Sequence, residues 1–430
     1  MPAETVCLCP AVGNACEEKR VDDGIRRPAN IVEDSRAPSR RTVLATGLRL
    51  ASLPALLSGL AACAGGDFGG GSPAPASAPA LTAQPIPSGG PAVALILPLT
   101  AQGNAGAVGV SLRNAAELAV SELGAAPVTL IVKDDGGNSQ GARAAAEAAI
   151  AEGARIILGP LFSHSVGAVA QVARPRGIPI IAFSTDSNVA SQGVYLLSFL
   201  PQTDVNRIIS YSTSQARRSF IGFIPENAYG SVAEGAFQQS AGALGGRIMG
   251  IERFTQDRAR LQAAAQRAAG VAGQADAIFI PDSADGMPAV LQALATAGID
   301  LRRVRPIGTG LWDDQRLFGN PQMEGAQFAA PETSGWRGFA ERYRARFGTD
   351  PVRTATLAYD AVSLVASVVR TQGPNGLTDA ALTNPSGFNG VDGVFRFRAD
   401  GTNERGLAVM EIKGGAAQVV SPAPRSFSTF

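Results

Sequence analysis

The amino-acid sequence predicts an α/β protein built on two parallel β-sheets. Short apolar runs alternate with longer segments in which apolar residues recur every three or four positions. The short runs are typical of buried strands, and the longer segments are typical of helices that cover a sheet. This alternation occurs in two series, one on each side of Pro201. Because strands separated by helices favour parallel, right-handed βαβ units, two series indicate two sheets.

The first series opens with the apolar run AVALIL, which ends at Pro98 and leads into a loop spaced by glycines. The helix that follows is predicted from apolar residues such as Leu112, Ala119 and Leu123, which share one face. The series predicts strands at 93–97, 128–132, 155–158 and 179–183, and helices at 108–123, 139–151 and 165–173.

The second series has the same build. It predicts helices at 204–215, 231–244, 258–269 and 287–297, and strands at 220–224, 247–254, 277–280 and 304–308. The remainder differs, because two helices at 336–347 and 355–370 precede two strands at 393–397 and 406–412. The last two strands meet at Asp400 and Gly401, which predicts that they pair as a hairpin.

The N-terminal region has the order of an export signal. Ser39, Arg40 and Arg41 precede an apolar stretch that ends in LAAC at Cys63. The stretch is too short to span a bilayer. LAAC resembles the bacterial lipobox, and SRRTVL resembles a twin-arginine export motif, which leaves that route and the general one open. We therefore expect a signal peptide at 1–62, of which 1–38 is an over-long start or a long basic region, and lipidation of Cys63.

Residues 63–91 are rich in glycine, serine, proline and alanine and predict a flexible tether. The 37 basic and 36 acidic residues nearly cancel, which argues against a nucleic-acid partner. No cysteine follows Cys63 and His164 is the one histidine, so neither disulfides nor a multi-histidine metal site is expected. No cofactor is expected, because the loop after Pro98 lacks nucleotide-binding glycine motifs.

Several strings then resemble one family in their order and spacing. They are VTLIVKDD at 128–135, GPLFS at 159–163, GIPII at 177–181, Tyr229-Gly230 and GVDGVF at 390–395. Together they resemble the type 1 periplasmic binding proteins, specifically the leucine/isoleucine/valine-binding group, over residues 92–415. The resemblance implies two lobes joined by three crossovers, each lobe a doubly wound parallel sheet. Lobe one would be about 91–202 and 328–385, lobe two about 203–327 and 386–415, with 416–430 a tail.

The resemblance also implies which residues contact a ligand between the lobes. Ser163, at a helix start, matches a serine that receives a ligand carboxylate, although it could be a plain helix cap. Ser184, Thr185 and Asp186 match a second binding segment, and Asp186 could equally cap the turn that follows. Two positions in lobe two complete the set: Tyr229, for which core packing is the alternative, and Trp312.

Two functions remain open at this point. The first is a solute receptor that passes a small polar ligand, such as an amino acid or amide, to an ABC permease. The second follows from ILPLT at 96–100 and IGTGLW at 307–312, which look closer to the penicillin-binding protein activator lipoproteins that bind a peptidoglycan synthase. Catalysis by Ser163 and His164 is not expected, because neighbouring side chains on a helix start point apart. Either function implies the periplasmic face of the envelope, with Ala64 favouring the outer membrane over the inner.

Overall fold

A computed structural model of the chain describes residues 90–124 and 128–427. The expected signal peptide, Cys63 and nearly all of the tether lie outside these ranges. In the described part of the chain, no helix is both long and apolar enough to cross a bilayer.

The first part of the chain forms one parallel sheet with its covering helices. In order, its elements are β1 (Ala92–Leu97), α1 (Asn104–Glu122), β2 (Thr129–Asp134), α2 (Ser139–Ala151), β3 (Ala154–Leu158), α3 (Ser163–Ala173), β4 (Ile180–Ala182) and β5 (Val194–Leu196). The strand order is β2-β1-β3-β4-β5, and every neighbouring pair is parallel. This is the sheet of lobe one, and its predicted helix at 139–151 is confirmed residue for residue.

The second part forms most of a larger sheet. Its elements are α4 (Pro201–Ser214), β6 (Ser219–Pro225), α5 (Ala228–Ala243), β7 (Arg247–Phe254), α6 (Arg258–Ala272), β8 (Ala277–Phe279), α7 (Met287–Thr296), β9 (Arg305–Gly308), α8 (Gln315–Phe318) and β10 (Gln327–Ala330). The strands β7-β6-β8-β9-β10 are neighbours in that order and run parallel. This is the sheet of lobe two.

The last part serves both lobes. Its elements are α9 (Thr333–Phe347), α10 (Ala355–Gln372), α11 (Asp379–Leu382), β11 (Phe388–Gly390), β12 (Gly393–Phe397), β13 (Asn403–Arg405), β14 (Ala408–Lys413) and β15 (Ala416–Ser421). Helices α9 and α10 pack on lobe one, where Phe339, Tyr343 and Val365 join a core cluster with Leu95 and Leu112. Strands β14 and β15 extend the sheet of lobe two in antiparallel fashion beyond β10.

The expected lobe boundaries need correction at two points. Strand β10 pairs with β9 and β14, so the chain leaves lobe two after Ala330 and not near 327. Phe395 and Phe397 of β12 pack into the lobe-one core, so the last passage between lobes follows Arg405 and not residue 385. Both strands are short and apolar on more than one face, and such runs do not reveal which sheet they will join.

The predicted C-terminal hairpin is wrong in its pairing. Strand β12 does pair across the turn at Asp400 and Gly401, but its partner is β13, which had not been predicted. Strand β14 pairs with β10 and β15 instead. Strands β11, β12 and β13 therefore form a separate three-stranded antiparallel sheet, which we call the hinge sheet. The segment expected to be a tail contributes β15.

Candidate ligand-binding cleft

The carboxyl end of β3 lies at the edge of the lobe-one sheet where the resemblance implies ligand contacts. Gly159 has a φ of 86°, and a side chain there would collide with the Ile96 carbonyl, so this turn requires glycine. The turn leads to Ser163, the first residue of α3, whose side chain is partly buried. The helix start leaves free N–H groups near this serine, as anion binding would require.

Polar residues follow β4 at the same edge of the sheet. Ser184 is 4% exposed and its Oγ accepts a hydrogen bond from the Asp186 N–H at 3.1 Å. Thr185 is exposed. The Asp186 carboxylate accepts bonds from both the backbone and the side-chain nitrogen of Asn188, at 3.0 and 2.9 Å. Asp186 therefore caps the turn that follows β4, the alternative that the sequence left open.

Tyr229 stands on the facing lobe, in the first turn of α5. Its hydroxyl donates a hydrogen bond to the Thr309 Oγ1 at 2.9 Å, and burial raises the pKa of this phenol above its usual value. Its ring packs against the lobe-two core from one side. Tyr229 also lines the interlobe cavity described below. Its side chain therefore packs on the core and contributes to the cavity wall.

Trp312 lies elsewhere than its predicted role requires. Its side chain is 0% exposed and packs in the lobe-two core, directly against Gly308, where a Cβ would collide with the indole ring. The short helical turn at Gly310–Trp312 points the indole inward, while Leu311 and Asp313 on either side of it line the cavity. The indole of Trp312 therefore does not line the cavity.

A cavity of about 1090 Å³ lies between the lobes. Lobe one contributes mainly α9 and the loop before α10. Lobe two contributes the loops after β6 and β9 and the turn between β14 and β15, and two crossovers form the floor. The wall residues used below are Phe199, Asp204, Tyr229, Leu311, Asp313, Phe318, Trp336, Arg337 and Arg353. Ser163, Ser184, Thr185 and Asp186 are at the lobe-one edge and do not line this cavity.

Two carboxylates face this cavity from lobe two. Asp204, in the first turn of α4, accepts a bond from the Gly310 N–H at 2.9 Å, and desolvation raises its pKa to about 7. Asp313 is exposed to solvent in the cleft. Desolvation by the surrounding protein nevertheless raises the pKa of its carboxyl group. The sequence had not singled out Asp204 for binding.

The cavity floor contains an alternating stack of aromatic rings and guanidinium groups. The Arg353 guanidinium lies 4.9 Å from the ring centres of both Trp336 and Phe199. Arg405 covers Phe199 at 4.7 Å and reaches Phe395 at 5.5 Å. Each contact is within the range of a cation–π interaction. The stack joins a crossover, lobe one and the hinge sheet, and its members are too far apart in sequence for a spacing motif to reveal them.

Buried charges surround this stack. Asp392, which is 1% exposed, binds both terminal nitrogens of Arg353, at 3.0 and 2.6 Å, and accepts the Thr356 hydroxyl at 2.6 Å. The Asp360 Oδ1 accepts the Val391 N–H at 2.8 Å, whereas its Oδ2 has no partner among the described residues. Burial first, and the nearby Asp392 second, raise the pKa of Asp360 to about 7.

Other chemistry-bearing groups do not converge in the same way. His164 is exposed, stacks on Phe162 at 5.6 Å, and shares a 3.2 Å hydrogen bond with the Gly137 carbonyl. A smaller cavity of about 330 Å³ lies at the amino ends of β3 and β4, opposite to the edge where doubly wound sheets bind ligands. Within the described ranges, no group of three His, Cys, Asp or Glu residues could hold a metal ion.

Two parallel sheets, crossovers between them and a cavity walled by both lobes define a two-lobed binding protein. The chain belongs to the periplasmic binding protein family, whose members match it over residues 92–417.

Solved structures share this fold. A candidate branched-chain amino acid ABC transporter protein from Rhodospirillum rubrum is 19% identical, with a TM-score of 0.69, over 77% of this chain and 100% of that one. A branched-chain amino acid ABC transporter periplasmic ligand-binding protein from Burkholderia xenovorans LB400 is 17% identical, with a TM-score of 0.63, over 78% and 96% of the two chains.

A third structure is an ABC transporter substrate-binding protein from Desulfitobacterium hafniense in complex with Leu. It is 20% identical, with a TM-score of 0.57, over 77% of this chain and 99% of that one. An uncharacterized protein of Rickettsia prowazekii (strain Madrid E) is 28% identical over 95 residues, or 22% of this chain, and the match spans only 25% of that relative. The likenesses to the three solved structures establish the fold.

Proposed function

We propose that the protein is a solute receptor of the cell envelope that binds a small polar ligand between its lobes and delivers it to an ABC permease. The ligand is an amino acid, an amide or a related organic ion. The single observation that carries this proposal is the interlobe cavity, because both lobes and two crossovers supply its walls. A ligand that contacts all of these walls favours one arrangement of the lobes over others, which is the basis of a closure signal.

The charges in the cavity support a ligand that carries charge or strong polarity. Asp313 makes no side-chain hydrogen bond within the described ranges, and the Arg337 guanidinium has only a long 3.5 Å contact with Thr333 on its own helix. Arg353, in contrast, is already neutralised by Asp392. A carboxylate in lobe two and a guanidinium in lobe one are thus available to opposite ends of a zwitterion, while Tyr229 and Phe318 offer apolar surface.

The residues at the lobe-one edge have a role in the closed form. Ser163, Ser184 and Thr185 follow β3 and β4 on the side of the sheet that faces lobe two, beyond the walls of the open cavity. Rotation about the crossovers would bring these hydroxyls and the free N–H groups of α3 onto the ligand. The lipid on Cys63 and the tether at 63–91 would keep the receptor close to the membrane in which the permease resides.

The proposal is tested by calorimetry against amino acids, their amides and aromatic carboxylates, with small-angle scattering to detect closure. For a compound that binds, Asp313→Asn and Arg337→Gln should each weaken binding about tenfold or more, since each removes a charge-assisted contact. Arg346→Gln is the matched control, because Arg346 is on the same helix and outside the cavity lining.

A protein that bound none of these compounds and did not contract on scattering would contradict the proposal. So would capture from envelope extracts of a peptidoglycan synthase in place of a permease. The likeness to ABC transporter proteins favours the receptor over the activator of cell-wall synthesis.

A further inference from the structure

The end of the described chain crosses from lobe two to the hinge sheet. Residues 422–427 follow β15 and lie beyond the stretch at 92–417 that matches the family. We call this segment the C-terminal strap. The strap is not one of the three crossovers. It follows β15, the last strand of the lobe-two sheet, and leads into no further strand within the described residues.

The strap begins on lobe two. The Arg207 Nη2 donates a 2.7 Å hydrogen bond to the Ser421 Oγ and has a longer contact of 3.5 Å with the Pro422 carbonyl. Arg207 belongs to α4, whose apolar face packs in a lobe-two core. Ala423 also packs against the lobe-two core. This end of the strap therefore moves with lobe two.

Beyond Pro422 the strap contacts two crossover segments and then the hinge sheet, which packs on lobe one. The Ala423 N–H donates a 3.0 Å bond to the carboxylate of Glu332, the residue before α9. Pro424 lies against Gly406, between β13 and β14. The Phe427 ring lies against Gly387 and under the Arg396 guanidinium, 4.5 Å from ring centre to cation. Because β12 carries Arg396 and packs into the lobe-one core, this end moves with lobe one.

The composition of the strap makes it stiff. Pro422 and Pro424 fix φ at alternate positions, which keeps the chain extended and limits the freedom that it loses when both ends are held. The stretch 422–424 contains no turn, and the chain bends at residues 425–426 before Phe427. A stiff span held at both ends resists a change in the distance between its anchors.

We propose that the C-terminal strap restrains the rotation of the two lobes and so favours the lobe arrangement in which Phe427 is docked under Arg396. Release of Phe427 frees the lobes to sample other arrangements. This role does not depend on which ligand binds or on transport, because none of residues 422–427 lines the interlobe cavity.

The test measures the distance between lobes without ligand. Spin-labelled amino acids placed by codon suppression at Ala148 in α2 and Gln266 in α6, both exposed, report this distance by pulsed electron resonance in the full-length protein. In Phe427→Ala, the population outside the main distance peak should rise about two- to fivefold, the factor expected from loss of one exposed cation–π contact. Phe427→Trp, which keeps a ring, should restore the original distribution.

Two further variants make the result specific. Glu332→Ala removes the acceptor of the Ala423 N–H and should broaden the distribution, whereas Glu332→Gln keeps an acceptor and should not. Phe347→Ala is the matched control, because Phe347 also lies beside an arginine, 5.6 Å from Arg346, but packs only in lobe one. Unchanged distances in Phe427→Ala, or equal broadening in Phe347→Ala, would overturn the proposal.

Discussion

At the scale of single residues, the least expected feature is the number of charged groups that are buried beside the cleft. Asp360 is 2% exposed and Arg405 is 4% exposed. The Arg405 Nε donates to the Ser198 carbonyl at 3.1 Å, but its two terminal nitrogens have no hydrogen-bond partner among the described residues. Such groups reduce stability unless neighbouring charges and rings compensate, and here Asp360, Asp392 and the stacked phenylalanines supply that compensation.

The raised pKa of Asp360 predicts a pH dependence of stability. Its folded pKa of about 7 exceeds the ordinary value of 3.8, so the folded protein binds more protons than the unfolded chain between those values. The free energy of unfolding must then fall as pH rises through that window. The free energy of unfolding of Asp360→Asn, relative to that of wild type, should therefore rise by roughly 2–4 kcal/mol when the pH is raised from 4 to 7.5. Urea unfolding of both proteins at the two pH values measures this change.

The matched control for this experiment is Glu341→Gln, an exposed carboxylate on α9. It should change the stability difference between the two pH values by less than about 0.5 kcal/mol. If Asp360→Asn showed the same slope with pH as wild type, Asp360 would have to be ionised throughout, with its Oδ2 bound to Arg405.

Individual binding residues were predictable only as positions along the chain. The sequence located the loops after β3, β4, β6 and β9, because apolar runs end there. It could not tell that Asp186 caps a turn or that Trp312 points inward. Each outcome depends on the orientation of a short turn. In the turn at Gly310–Trp312, neighbouring residues point to opposite sides, one to the core and the next to the cavity.

At the scale of elements, the hinge sheet takes part in two ion pairs whose carboxylates differ in burial. Arg353 and Asp392 join the loop before α10 to the turn between β11 and β12, and the Asp392 side chain is 0% exposed. Arg396 and Glu404 join β12 to β13 at the surface, with side chains 29% and 31% exposed. Both arginines contact their carboxylate with two nitrogens, so the pairs differ mainly in burial.

This contrast predicts unequal effects on stability. Asp392→Asn leaves Arg353 without its counter-charge in the cavity floor and should lower the free energy of unfolding by about 3 kcal/mol. Glu404→Gln, the matched surface change, should cost less than about 1 kcal/mol. Denaturant unfolding of the two variants at pH 7 measures both values, and equal losses would mean that burial of the Asp392 pair adds nothing.

Long helices and long strands were predictable, whereas several of the short strands were not. Helix α2 and strands β7 and β12 have the predicted bounds, because each has a sustained apolar period or a clear terminal signal. Strands β5, β11 and β13 contain three residues each, too few to establish a period of two. Strand β5 is defined by its pairing with β4, such as Ala182 with Leu196. Strands β11 and β13 are defined by their pairing on either side of β12.

At the scale of the whole molecule, neither lobe is a continuous piece of chain. Lobe one takes α9 and α10 from the C-terminal third, and α10 packs along α1. Lobe two takes β14 and β15 from the same third. The lobe-one core cannot close until residues far along the chain have returned to it.

A truncation experiment follows from this arrangement. A chain that ends at Ala330 lacks the α9 and α10 side chains of one lobe and two sheet strands of the other, so it should show no cooperative thermal transition by circular dichroism. A chain that ends at Ser421 keeps both cores and should melt as cooperatively as the full protein. Cooperative melting of the shorter chain would mean that lobe two is stable without β14 and β15.

The sequence by itself determined the fold class, the two series of βαβ units and the loops that meet at the cleft, because these features depend on local periodicity and on where apolar runs stop. Only the tertiary structure decided which sheet β10 and β14 join, how the hinge sheet pairs, and which side chains face the cavity. Asp204, Asp313, Trp336 and Arg353 come together from four separate regions of the chain. Their meeting depends on packing between elements, for which a single sequence contains no local signal.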